Sequence, residues 1–159
     1  MTTYENLADS SRVWVYQSNR PFTAEEIPAL RAFLQRFATN WVSHNRALQA
    51  FAELYYDQFI VLMVDESQAG ASGCSIDASV RFLQQLEQEF QVSLFDRLTF
   101  AYKENGQIKT ASKSEFKQLY QDGKISNQTL VFDNLVENKK AFEQNWVKLL
   151  KESWHRRMV

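Results

Sequence analysis

Phe59-Ile60-Val61-Leu62-Met63-Val64 runs into Asp65-Glu66, then the small-residue loop Ser67-Gln68-Ala69-Gly70-Ala71-Ser72-Gly73, then Cys74-Ser75-Ile76-Asp77 at the head of a segment ending at Phe90. Six consecutive apolar residues bounded by charge and glycine read as a strand covered on both faces, because a strand with one wet face would alternate. Beyond the loop, Ile76, Val80, Leu83, Leu86 and Phe90 recur at helical spacing, with Asp77 and Arg81 four apart and Ser75 or Asp77 placed to cap the first turn. The stretch delivers two carboxylates, the single cysteine and a helix N-terminus to one end of a central strand.

Outward from this centre the chain continues to alternate between the two periods. Ala50–Tyr56 reads as a strand joined to Phe59–Val64 through Asp57-Gln58, a connection short enough for a tight hairpin. Earlier, Thr23-Ala24-Glu25-Glu26 forms a capping box ahead of Ile27, Leu30, Leu34, Phe37 and Trp41, and Pro28 near the start predicts a kinked or late first turn. Arg12-Val13-Trp14-Val15-Tyr16-Gln17 has the β-branched and aromatic content of a first strand, and Leu98–Lys103 returns as a last one. The order strand, helix, strand, strand, helix, strand predicts an α+β, ferredoxin-like antiparallel sheet with helices on one face over residues 1–103.

Residues 104–159 read as a small C-terminal α+β unit. Glu104-Asn105-Gly106-Gln107 is a turn and Ile108-Lys109-Thr110 a short strand; Ser112-Lys113-Ser114-Glu115 is a second capping box, opening a helix through Phe116, Leu119 and Tyr120 that stops at Gly123. Thr129–Phe132 is a strand. From Asn138, the spacing of Phe142, Trp146, Leu149, Leu150 and Trp154 predicts a terminal helix whose Lys148, Lys151, Arg156 and Arg157 complement the negative end of its dipole.

Composition limits the function classes. The 159 residues are 45% hydrophobic and 14% aromatic, enough for a packed core without staples. One cysteine and two histidines exclude an internal disulfide and leave no dedicated zinc cage, so no metal and no cofactor is called for. The six-residue apolar run falls well short of the ~20 residues that cross a bilayer, and the opening residues lack a charged and apolar leader, so the expected compartment is the cytoplasm. The net charge of −1 conceals an asymmetry: seven arginines face twelve acids up to Tyr102, whereas nine lysines and two arginines face seven acids from Lys103 onward. That excess is too small to call for a nucleic-acid partner.

Several residues carry candidate chemistry. Cys74 at a helix N-terminus would have its thiolate favoured by the dipole, with His44 as a base, against the plainer reading of a small structural residue. Asp65 and Glu66 end the central strand and would bind a metal or act as acid and base, but adjacent side chains on a strand point to opposite faces, so one of them would look into any one site, against the plainer reading of a solvated strand end. The amides near Ser75 and Asp77 would hold an anion unless the Asp77 carboxylate caps them itself. Arg20 would bind a phosphate or carboxylate. Trp41 with His44, and Trp154 with His155, would frame a pocket if the C-terminus folds back onto the first unit.

Two resemblances follow from particular runs. Arg12–Arg20, Gly73-Cys74-Ser75-Ile76-Asp77 and Lys151-Glu152-Ser153-Trp154-His155 resemble, over nearly the whole chain, a family of small Bacteroidetes proteins often labelled "ABC transporter ATPase". The chain has no G-x-x-x-x-G-K-[ST] loop to cradle phosphates and no lysine before Lys103 to reach them, which argues against ATP hydrolysis. Ser114–Ser126 followed by Thr129-Leu130-Val131-Phe132 is similar to GYF-like adaptor modules, although Ile108-Lys109-Thr110 stands where those modules carry Gly-Pro-Phe. This resemblance implies a protein or peptide partner. Two functions are expected: a non-catalytic cytoplasmic binding or adaptor protein with a pocket near the Asp65–Asp77 loop, or a small enzyme using Cys74, His44 and an acid from Asp65, Glu66 or Asp77. Glu66, Ser75, Asp77, Arg20, Trp154 and His155 are the expected ligand-binding residues.

Overall fold

The computed structural model describes residues 2–159. In chain order the elements are β1 (Arg12–Gln17), α1 (Ile27–Asn40), β2 (Val42–Ser43), β3 (Arg46–Ala47), β4 (Gln49–Tyr55), β5 (Phe59–Asp65) and α2 (Gly73–Phe90). There follow β6 (Thr99–Glu104), β7 (Gln107–Ser112), α3 (Lys113–Gln121), β8 (Leu130–Phe132), α4 (Lys139–Asn145) and β9 (Val147–Leu149). Short 3-10 turns lie at Tyr4–Asn6, Leu150–Glu152 and Trp154–Met158. The protein is α+β, with four helices and antiparallel sheets.

Every residue of β5 is buried, which is the state its unbroken apolar run demands. It is the middle strand of the order β1-β5-β4, pairing antiparallel with both neighbours. Ile60, Leu62 and Val64 point to one face and meet Leu30 and Leu34 of α1 and Leu83 and Leu86 of α2. Phe59, Val61 and Met63 point to the other, beside Val13 and Val15 of β1, and Ala101, Phe132, Phe142 and Trp146 close over them. Ala101 and Phe132 belong to the second sheet, ordered β7-β6-β8-β9. That sheet's far face carries Phe100, Tyr102 and Val131 against Phe116 of α3 and Leu150. The molecule is therefore four layers deep: α1 and α2, a three-stranded sheet, a four-stranded sheet, then α3. Sheet-on-sheet contact, with side chains of both inner faces interleaved, is what covers the second face of β5.

Local expectations are met with shifts in detail. Thr23 and Glu26 exchange the two bonds of a capping box, at 2.9 and 3.2 Å, while the helix proper begins at Ile27 with Pro28 in its first turn. The β4–β5 turn is Tyr56-Asp57, not Asp57-Gln58: both turn residues are left-handed, at φ 53° and 56°, as a type I′ turn requires. Gln58 is buried beside it, where its side chain donates to the Ser18 carbonyl at 3.1 Å. The N-cap of α2 is Ser72 rather than Ser75 or Asp77, with Ser75 completing the box from the third helical position. In consequence the buried face of α2 opens with Ser75 and Ser79, and Ile76 and Val80 are half-exposed.

Two larger expectations change. The strand foreseen at Leu98–Lys103 forms one residue later, as β6, and joins the second sheet through β7 and β8 instead of extending the first. Leu98 is left 68% exposed. The continuous terminal helix from Asn138 does not form: α4 ends at Asn145, β9 pairs with β8, and 3-10 turns follow. The apolar spacing there is helical, but Phe142 and Trp146 pack between the sheets whereas Leu150 and Trp154 pack on the far face of the second sheet. One straight helix cannot serve both faces of a sheet. The chain crosses from one to the other as an edge strand, with Val147-Lys148-Leu149 supplying the crossing.

Candidate functional site

The loop from Asp65 to Asp77 is occupied by its own backbone. Asp65, only 5% exposed, accepts from the N–H groups of Ala8 at 3.1 Å and Ser67 at 3.0 Å. Ser67, through its side chain and its N–H, together with the Ala8 N–H, holds the Asp65 carboxyl below the usual carboxylate range despite burial. Glu66 accepts from the Ala71 N–H at 2.9 Å and lies 3.7 Å from Arg12. Ser75 spends its hydroxyl on the Ser72 backbone, donating to its carbonyl at 2.8 Å and accepting its N–H at 2.6 Å. Asp77 is exposed and has no hydrogen-bond or ion-pair partner among the described residues.

The proposed nucleophile and base are not joined. Cys74 is exposed near the start of α2, and His44 is exposed at the tip of the unforeseen β2–β3 hairpin, where His44 and Asn45 are both left-handed. No hydrogen bond links Cys74 to a histidine among the described residues. Trp41, beside that hairpin, is 3% exposed and donates from Nε1 to the Ser75 carbonyl at 2.8 Å, so it anchors the helix start. Arg20 is likewise committed. It grips Glu26 in a fork at 2.8 and 2.9 Å and donates to the Phe90 carbonyl at 2.6 Å, tying the chain ahead of α1 to the end of α2. Arg20, with the Thr23 N–H, holds the Glu26 carboxyl down to about 2.

The second indole–imidazole pair stands in a different setting. Trp154 and His155 line a cavity of about 360 Å³ where the two sheets and the C-terminal turn meet. Gln17 at the end of β1, Leu94 and Arg97 of the α2–β6 connection, Thr99 and Phe100 of β6, and Asn134 and Leu135 after β8 complete much of its wall. Gln17 bridges the sheets, donating to the Thr99 carbonyl at 3.1 Å and accepting from the Asn134 amide at 3.0 Å. Asn134 in turn accepts from Trp146 Nε1 at 2.9 Å. These amides are satisfied and fix the walls rather than reaching for a ligand.

His155 is 1% exposed, stacked on Trp154 with ring centroids 3.8 Å apart and held edge-on by Phe100. Its Nδ1 lies 2.6 Å from Ser153 Oγ. Burial pushes its pKa down to about 4, with Lys148 adding to the shift and Asp133 opposing it, so the ring is neutral near pH 7. Among the described residues the buried Ser153 hydroxyl has no other acceptor, and the tautomer that would satisfy it accepts at Nδ1 and carries its proton on Nε2. Nε2 has no protein partner among the described residues. The ring belongs to the wall of the cavity that His155 lines.

Beside this wall, Asp133 holds the C-terminal turn in place. Trp154 Nε1 and the Leu135 N–H donate to its Oδ1 at 2.9 and 3.0 Å, and Lys148 reaches Oδ2 at 2.9 Å. Burial pushes the Asp133 carboxyl upward, but the bonds from Lys148, Trp154 and Leu135 outweigh it and hold the group ionised. Arg97 is exposed at the mouth, 5.7 Å over the Tyr16 ring, with no carboxylate in ion-pair distance among the described residues. Asp96 also lines the cavity, and its oxygens accept from the Leu98 N–H and the Thr99 hydroxyl.

Of the expected ligand-binding residues, Trp154 and His155 share this cavity, and Arg20, Glu66, Ser75 and Asp77 do not line it. Gln17, Arg97 and Asn134 were missed. Gln17 lies in a strand and Arg97 and Asn134 in connections, with no motif spacing; only the break of β-pattern at Gln17 marks a polar residue that ends up 7% exposed. No group of three or more His, Cys, Asp or Glu side chains is placed to hold a metal ion among the described residues. No helix among them is long and apolar enough to cross a membrane. Comparison with protein-family models, curated proteins and solved structures finds no match to this chain.

Proposed function

We propose that the chain is a non-catalytic binding protein that takes a small ligand in the cleft walled by Arg97, Trp154 and His155. The observation that carries this reading is a buried imidazole, without a protein partner at Nε2 among the described residues, in the wall of a mainly apolar cavity of about 360 Å³, a size within the range of small-molecule sites. The pocket expected near the Asp65–Asp77 loop has less support, since Asp65, Glu66 and Ser75 spend their polar atoms on loop and helix backbone. The enzyme reading has less support for the same reason, and because Cys74 and His44 are not hydrogen-bonded. A titration of the full chain with the neutral probe 2-naphthylacetamide, followed by amide NMR, tests the cleft. Saturable shifts confined to residues around Leu94, Arg97 and Asn134, weakened by narrowing the mouth with Leu135→Trp, are expected. Shifts scattered over the surface, or unchanged in the variant, overturn the reading.

Kinship is part of the same proposal. Two helices on one face of an antiparallel sheet support a ferredoxin-like ancestry for the N-terminal part. The capped α3, followed by Gly123 at φ 73° and the strand β8, supports a GYF-like ancestry for the C-terminal part, and with it a protein or peptide partner. The small Bacteroidetes family remains the family we propose, without the ATPase activity of its label: the chain lacks a phosphate loop.

A further inference from the structure

We propose that the ligand of the Arg97–His155 cleft is a small monocarboxylic acid with a compact apolar or aromatic body, an inference that rests on the binding reading above. Two residues that line one cavity carry donors, and neither donor has an acceptor among the described residues. The first is His155 Nε2–H, on a ring that is 1% exposed and locked by Ser153 on one side and Trp154 on its face. A buried donor without a partner is costly, and a ligand acceptor is what would relieve it. The second is Arg97, which lines the same cavity and whose guanidinium, 5.7 Å over the Tyr16 ring, makes no ion pair or hydrogen bond among the described residues. A planar guanidinium fork matches a carboxylate, and a neutral N–H alongside it supplies a further bond to the same oxygens.

Negative charge is present at this site, and Arg97 is the cation that must outweigh it. Asp96 lines the cavity as an ionised carboxylate, its oxygens turned to the Leu98 N–H at 2.8 Å and the Thr99 hydroxyl at 2.6 Å. Asp133 is neutralised by Lys148 at 2.9 Å. The remaining wall is apolar: Leu94, Phe100 and Phe132 lie deep, and Leu135, 59% exposed, extends the apolar surface to the rim. A ligand that presents one carboxylate to the donors and an apolar body to this wall satisfies both halves. An amine would set a cation against Arg97, and a neutral amide would leave the guanidinium without a counter-charge.

The test compares 2-naphthylacetate, 2-naphthylacetamide and 2-(2-naphthyl)ethylamine on the full chain at neutral pH by amide NMR, with the imidazole nitrogens of His155 observed in parallel. The acid is expected to bind roughly tenfold or more tightly than the amide, as a hydrogen bond to a charged group implies, and to shift the Nε2–H resonance of His155. Arg97→Gln, at an exposed position, should abolish the preference for the acid, so that acid and amide bind the variant equally. Equal binding of acid and amide in the cleft overturns the carboxylate assignment while the binding reading stands. So does a preference for the amine, or an acid preference that survives Arg97→Gln. If neither acid nor amide shifts cleft signals, this inference and the binding reading fall together.

Discussion

His155 shows how one side chain links burial to pH. Its pKa in the fold is about 4 and its unperturbed value is 6.5, so the unfolded chain binds the proton first as pH falls. The contribution of the neutral ring is fully present above pH 6.5 and is lost progressively between there and pH 4, by a total on the order of 3 kcal/mol. Urea midpoints measured from pH 7 to pH 4.5 should therefore fall more steeply for the parent than for His155→Asn; parallel curves would show that the ring is not held neutral. Cys74 makes an opposite point at the same scale. Being exposed and bonded to no histidine, it should react with a thiol reagent in the folded protein, at a rate that His44→Ala leaves unchanged. A slower rate in that variant would restore the nucleophile and base pair.

At the scale of elements, helices α1 and α2 are held by their apolar stripes against one face of the first sheet. Leu34 and Leu83 are both fully buried there, and truncation of either to Ala should cost roughly 2–5 kcal/mol through lost transfer energy and the cavity left behind. Chemical denaturation checks this, and an unchanged midpoint for both would contradict the packing. Helix α3 depends more on its ends. Its capping box joins Ser112 and Glu115 by reciprocal bonds at 3.3 and 2.9 Å, and Ser112→Ala should destabilise by about 1 kcal/mol.

For the whole molecule, the covered second face of β5 decides how the chain folds. Val13, Val15, Val61 and Met63 would face water if the second sheet were removed, and β6 runs across the boundary between residues 103 and 104. A fragment ending at residue 103 should be unfolded or aggregated, and the full chain should unfold in a single transition seen alike by Trp fluorescence and far-ultraviolet circular dichroism. A soluble, cooperatively folded fragment would show instead that the two parts are independent. The N-terminus is fastened to the same body, since buried Lys139 donates to the carbonyls of Tyr4 and Leu7 at 2.9 Å each.

Local pattern alone identified β5, the β4–β5 hairpin, both capping boxes and the helical segments after them, because each depends on period, propensity and bonds within a few residues. Which sheet receives β6 is a different kind of question: its run Phe100-Ala101-Tyr102 suits either partner, and the contacts with β7 and β8 settle it. The terminal segment misled for a similar reason, since helical spacing cannot record that Trp146 and Trp154 serve opposite faces of a sheet. The cleft was half legible. Trp154 and His155 were visible as a pair, but Gln17, Arg97 and Asn134 come from distant parts of the chain, and only the stacking of one sheet on the other brings them to the same cavity.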